Sequence, residues 1–175
     1  DTVSHNPERL ALFCAAYVET GHHEPAGALS AEAPRMATVW PMAEGFDPET
    51  FSTLEDIEKC EAAVLNYGAA VADQAIYDAE LTGIEVEGRG PFILAWTPPS
   101  AKGRTNALVL MANLSSVDAP EEALIAMRRW QADVEFNPPL WTGNGWNLPM
   151  LRETMDEWAK SYGPQSLMLL GPFGG

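Results

Sequence analysis

The sequence predicts an α+β fold in a single domain, with helices layered on a small, mostly antiparallel sheet. Three observations carry that reading. Apolar residues recur at helical spacing in four separate stretches. Two apolar runs of strand length lie close together in residues 91–114, divided by one polar loop. The chain has 175 residues, 46 % hydrophobic and 20 % charged, which suits one domain with a real core and excludes a disordered chain.

The elements follow in order. Residues 6–20 read as a helix: Asn6 can cap it, Pro7 suits its first turn, Gly21 stops it, and Leu10, Phe13, Cys14 and Tyr17 form its apolar stripe. Residues 22–51 read as irregular because Pro25, Pro34, Pro41 and Pro48 forbid a long helix, with one extended piece at Met36 to Trp40. A second helix is expected from a capping box over Ser52 to Glu55 to about Thr82, with Gly83 as terminator and Leu54, Ile57, Cys60 and Val64 as its stripe.

Pro91 to Thr97 and Ala107 to Leu114 read as an antiparallel pair. Asp118 and Glu121 open a third helix reaching about Glu135, with Leu124, Met127, Trp130 and Val134 on its stripe, ended by Asn137-Pro138-Pro139. Asn147 is the expected cap of a last helix carrying Leu148, Leu151, Met155, Trp158 and Tyr162, stopped by Gly163-Pro164. Ser166 to Leu170 closes the sheet. The expected domain is 1–175, with two N-terminal helices, two C-terminal helices packed on the sheet, an acidic helical layer at 1–87 and a β-β-α-α-β layer at 88–175.

Charge is uneven along the chain. Residues 1–87 hold 17 acidic and 3 basic side chains, while residues 88–175 hold 8 and 7. A formal net charge of −15 excludes nucleic acid held through its phosphates. No apolar run approaches the roughly 18 residues of a membrane span. The acidic half is either a solvated surface or a face that meets a basic partner, whose encounter complementary charge would accelerate.

The two cysteines, Cys14 and Cys60, lie on predicted helical stripes with no zinc-type spacing. An even count, together with a chain that starts at Asp1, is read as a disulfide in a periplasmic or secreted protein.

Few residues carry recognisable chemistry. His22, His23 and Glu24 are possible ligand types for a metal, but neighbours on an extended chain point to opposite sides, so the pair is a weak candidate and no cofactor is expected. No G-x-S-x-G occurs, and the histidines are confined to the first 23 residues. Acidic pairs such as Glu121-Glu122 are explained by helix first turns. Gly88-Arg89-Gly90 leads into a strand and so lacks a phosphate-cradling helix N-terminus. Lys102-Gly103-Arg104 is a compact basic turn that could contact an acidic ligand.

The stretch from Asn137 to Asn147 is the most unusual. It sets Trp141 and Trp146 among Asn, Gly and Pro, and rigid indoles beside the Asn144 carboxamide suit a partner or a sugar ring. The opposing expectation is that both indoles plug the end of the core. The functional expectation is a non-enzymatic, exported binding protein with its footprint at Trp141, Asn144 and Trp146 or on the acidic helices. Its partner would be a basic protein or a small polar or glycan ligand. Two rivals are an acidic inhibitor or immunity-type protein covering a basic enzyme, and a carboxylate-dependent hydrolase acting on glycans.

Overall fold

The computed structural model describes residues 2–4, 6–20, 41–142 and 145–172. The expected strand at Met36 to Trp40 lies outside them. Its sheet is ordered β1-β2-β3-β6 and antiparallel throughout, from β1 (Thr2–Val3), β2 (Phe92–Trp96), β3 (Val109–Asn113) and β6 (Leu167–Leu170). Register pairs Ile93 with Ala112 and Ala95 with Leu110 on one face, and Leu94 with Met111 and Trp96 with Val109 on the other.

Both faces of this sheet are buried, which is why its strands read as unbroken apolar runs rather than alternating ones. On the first face, Ile93, Ala95, Leu110, Ala112 and Leu167 join Leu10, Phe13, Met127, Trp130, Leu151 and Trp158 in the larger core. Those residues come from α1 (Pro7–Thr20), α5 (Pro120–Trp130) and α6 (Leu148–Tyr162). On the second face, Phe92, Leu94, Trp96, Val109 and Met111 pack on Ala72, Ala75, Ile76 and Ala79 of α4 (Ala69–Glu80). Small side chains on α4 let the helix lie close to the aromatic and branched residues of the sheet. The acidic half therefore contributes to both faces.

One long helix was expected over 52–82, and the structure corrects it. The region holds α2 (Pro48–Ser52), α3 (Asp56–Leu65) and α4. Asp47 caps α2 by accepting from the backbone N–H groups of Glu49 and Thr50. α3 starts at Asp56, where the Glu55 N–H donates to the Glu58 carboxylate at 3.0 Å, three residues later than the box at Ser52 implied. Ile57 is consequently on the outer flank of α3 and 70 % exposed rather than on its buried stripe.

The break after α3 has a physical cause. The chain at 41–43 lies across it: the Gly68 N–H donates to the Pro41 carbonyl at 2.9 Å and the Ala43 N–H to the Asn66 carbonyl at 2.7 Å. Tyr67 turns inward, where its hydroxyl accepts from the Ser4 N–H at 2.8 Å, and burial pushes its pKa up to about 12. A Cβ at Gly68 would meet the Met42 carbonyl oxygen at 2.5 Å, so only glycine admits the crossing.

Cys14 and Cys60 form a disulfide between α1 and α3, with Cα atoms 5.1 Å apart. No helix among the described residues is long and apolar enough to cross a membrane.

α5 ends in a wider turn over Gln131–Glu135, closed by the Phe136 N–H donating to the Gln131 carbonyl at 2.8 Å. Asn147 stands at the start of α6 as expected, but its carboxamide donates to the Pro139 carbonyl at 3.0 Å instead of capping the helix. Gly163 ends α6 at φ 94°, a left-handed conformation that glycine adopts freely.

Candidate functional site

Three surfaces bear on function: the tryptophan hairpin, the acidic helices, and a groove at the end of α6. In the hairpin, β4 (Trp141–Thr142) pairs with β5 (Gly145–Trp146), and the Thr142 hydroxyl donates to the Gly145 carbonyl at 3.0 Å. Trp146 is only 7 % exposed, belongs to the larger core, and directs its indole N–H toward the Leu108 carbonyl at 3.4 Å. Asn144 and the Trp141 side chain lie outside the described residues, as do His22, His23 and Glu24. Among the described residues, no group of three or more His, Cys, Asp or Glu is placed to hold a metal ion.

Neither a family model, nor a curated protein, nor a solved structure matches this chain. What it does must be argued from its own surfaces.

The acidic surface is built on α3 and α4. Residues 41–87 carry 12 acidic side chains and one basic one, Lys59. Amid those charges α3 exposes Ile57 and Leu65, and α4 exposes Val71 and Tyr77, at 70, 84, 50 and 56 %. Ile57, Glu61 and Leu65 recur every four residues and so form one outward stripe, turned away from buried Ala63 and the Cys60 bridge.

In the basic turn at 102–104, Lys102 packs on the sheet while Arg104 is exposed. The Lys102 ammonium stands 4.9 Å above the Trp96 ring, and burial lowers its pKa against the opposing pull of Asp78.

At the far end of the sheet a polar hub ties the N-terminus to two loops. Arg9, 8 % exposed, donates to the carbonyls of Gly90 (2.8 Å), Leu114, Ser115 and Val117 and to the Asp118 carboxylate (2.9 Å). Arg89 also reaches Asp118, at 3.2 Å. The bond from Arg9, reinforced by the charges of both arginines, holds the Asp118 carboxyl below the usual carboxylate range. Gly88-Arg89-Gly90 is thus a structural turn, and nothing in the sequence singled out Arg9.

Beside this hub lie two shallow clefts of about 350 and 370 Å³ that meet at Ser116 and Tyr162. One runs along the 113–116 turn and the Gly163–Ser166 loop; the other faces Glu122 and Ile125 of α5. Tyr162 is held by its neighbours: its ring lies 5.4 Å from that of Trp158, and the Arg129 guanidinium stands 5.5 Å from both rings. Arg129 is itself fixed by Asp133 at 3.0 Å and Ser161 at 2.6 Å. Sequence reasoning placed Tyr162 on a buried stripe and passed over the groove. The signal that could have found it is the run of Asn and Ser residues following an apolar strand.

Proposed function

We propose that the chain is an exported, non-enzymatic binding protein that presents the acidic helices α3 and α4 to a basic partner protein. The observation that carries this reading is the exposed stripe of Ile57 and Leu65 set among the acidic residues of those helices. Apolar side chains at that exposure supply contact area, while the surrounding carboxylates steer a cationic surface toward them. The Cys14–Cys60 bridge supports export, because disulfides persist in oxidising compartments. The same surface also supports the narrower reading of an immunity-type protein, in which the basic partner is an enzyme that binding silences.

A photo-cross-linking residue at Leu65, with one at Thr142 as control, tests the proposal in the exported fraction of the source cells. The expected adduct is a basic protein, formed from position 65 alone. Its yield should fall steeply when ionic strength is raised about tenfold, since exposed charges are screened over about 10 Å at 0.1 M salt. It should also fall in an Ile57→Ser/Leu65→Ser variant. Adducts from position 142 only, or a yield indifferent to salt and to both substitutions, overturn the proposal. Loss of a catalytic activity of the adducted partner would establish the narrower reading.

A further inference from the structure

We propose that the groove centred on Tyr162 is a second, independent binding site, and that its ligand is a neutral saccharide lying across the Tyr162 ring. The lining decides the chemical class. Ser116, Tyr162 and Gln165 line one cleft, and among the described residues neither hydroxyl nor the carboxamide has a hydrogen-bond partner. They offer both donors and acceptors, all uncharged.

Among the described residues no Lys, Arg or His lines either cleft, and Arg129, which stands beside Tyr162 and Ser161, is already paired with Asp133, so a phosphate or carboxylate ligand finds little free counter-charge. The carboxylate in the lining, Glu122, is solvent-exposed and accepts the backbone N–H of Asp118 at 3.2 Å, and a single exposed carboxylate does not by itself hold a cation. What remains is a ligand rich in neutral hydroxyl or amide groups with an apolar face to lay on an aromatic ring. A pyranose has both.

Two further features fit that class. The clefts are each at the lower end of the roughly 300–1,000 Å³ typical of small-molecule sites, and they adjoin at one aromatic residue, an arrangement for consecutive rings of a chain rather than one compact molecule. The Tyr162 platform is also preorganised: Trp158 and the braced Arg129 hold it, so little side-chain freedom is lost on binding. Open clefts of this kind bind weakly, in the millimolar range.

The site is tested by ¹⁵N–¹H correlation spectra of the intact, disulfide-bonded chain during titration with maltose, cellobiose or N,N′-diacetylchitobiose. An N-acetylated glycine peptide amide is titrated in parallel. The expected result is saturable shifts at Ser116, Tyr162 and Gln165 with at least one disaccharide and none with the peptide. Ser116→Ala and Gln165→Ala replace exposed side chains and leave the fold intact; each should weaken binding about threefold to tenfold, the loss of one neutral hydrogen bond. Absence of saturable shifts with all three sugars overturns the proposal. So do shifts confined to the 141–146 hairpin, or the same pattern with the peptide. Because the groove does not include α3 or α4, its failure leaves the basic-partner proposal standing, and the reverse.

Discussion

Trp146 and Asp118 show how differently a single side chain can be placed from what its neighbours in the sequence suggest. Trp146 sits in a loop of Asn, Gly and Pro, yet it is buried in the main core. Trp146→Ala should therefore cost about 3 kcal/mol, as removal of a buried aromatic does, and lower the thermal midpoint by several degrees in calorimetry. A midpoint close to wild type would instead return the indole to a binding role. Asp118 matters through its pairing with Arg9. Its folded-state pKa is depressed, so its contribution to stability is present above the ordinary carboxylate value and disappears as pH falls through the folded value. Asp118→Asn should thus be less stable than wild type at neutral pH, with the gap closing as pH falls below the ordinary carboxylate range in urea titrations. A gap independent of pH would refute the pairing. The burial of Trp146 was one of the two expectations the sequence offered, whereas the convergence of Arg9 on Gly90 and Val117 was not legible, because it depends on contacts made across 81 and 108 residues.

The strands β2, β3 and β6 were legible almost to their boundaries. Each is an apolar run bounded by Pro, Asn or Gly, and burial on both faces removes the alternation that could have confused it with a surface strand. α1, α5 and α6 were legible for the usual helical reason, an apolar stripe between a proline in the first turn and a Gly or Pro stop. The interrupted helix was not. Alanine-rich sequence on either side of Asn66-Tyr67-Gly68 favours continuing the helix, and only the crossing segment at 41–43 and the bond from Ser4 to Tyr67 stop it. Gly68→Ala tests this cause. Alanine would ordinarily stabilise by restricting the unfolded chain, but the 2.5 Å approach to the Met42 carbonyl should reverse the sign, at a cost of about 1–3 kcal/mol by denaturant unfolding. An equally stable or more stable variant would mean that the crossing yields.

For the molecule as a whole, the disulfide is the strongest single tie between early elements. It closes a span of 46 residues that includes 21–40, and the loop-entropy model assigns such a closure about 4 kcal/mol. Reduction should lower the urea midpoint accordingly, with the slope of the transition rising as the unfolded chain expands. An unchanged midpoint on reduction would show that packing of α1 on α3 and α5 suffices. The bridge was legible in the sequence because both cysteines fall on helical stripes. The charge asymmetry was legible too, but not its distribution: α3 and α4 follow each other along the chain and yet pack into different cores.

The Arg9 hub also sets an order of events. Its partners lie 81 to 109 positions further along the chain, and β1 pairs with Phe92 and Ile93. During synthesis the first helix emerges long before the partners of Arg9 exist. Its tie to α3 through Cys14 and Cys60 can form once residue 60 has been made, but the Arg9 anchors are complete only after residue 118, so α1 is fastened in two stages, first to its neighbouring helix and then to the sheet.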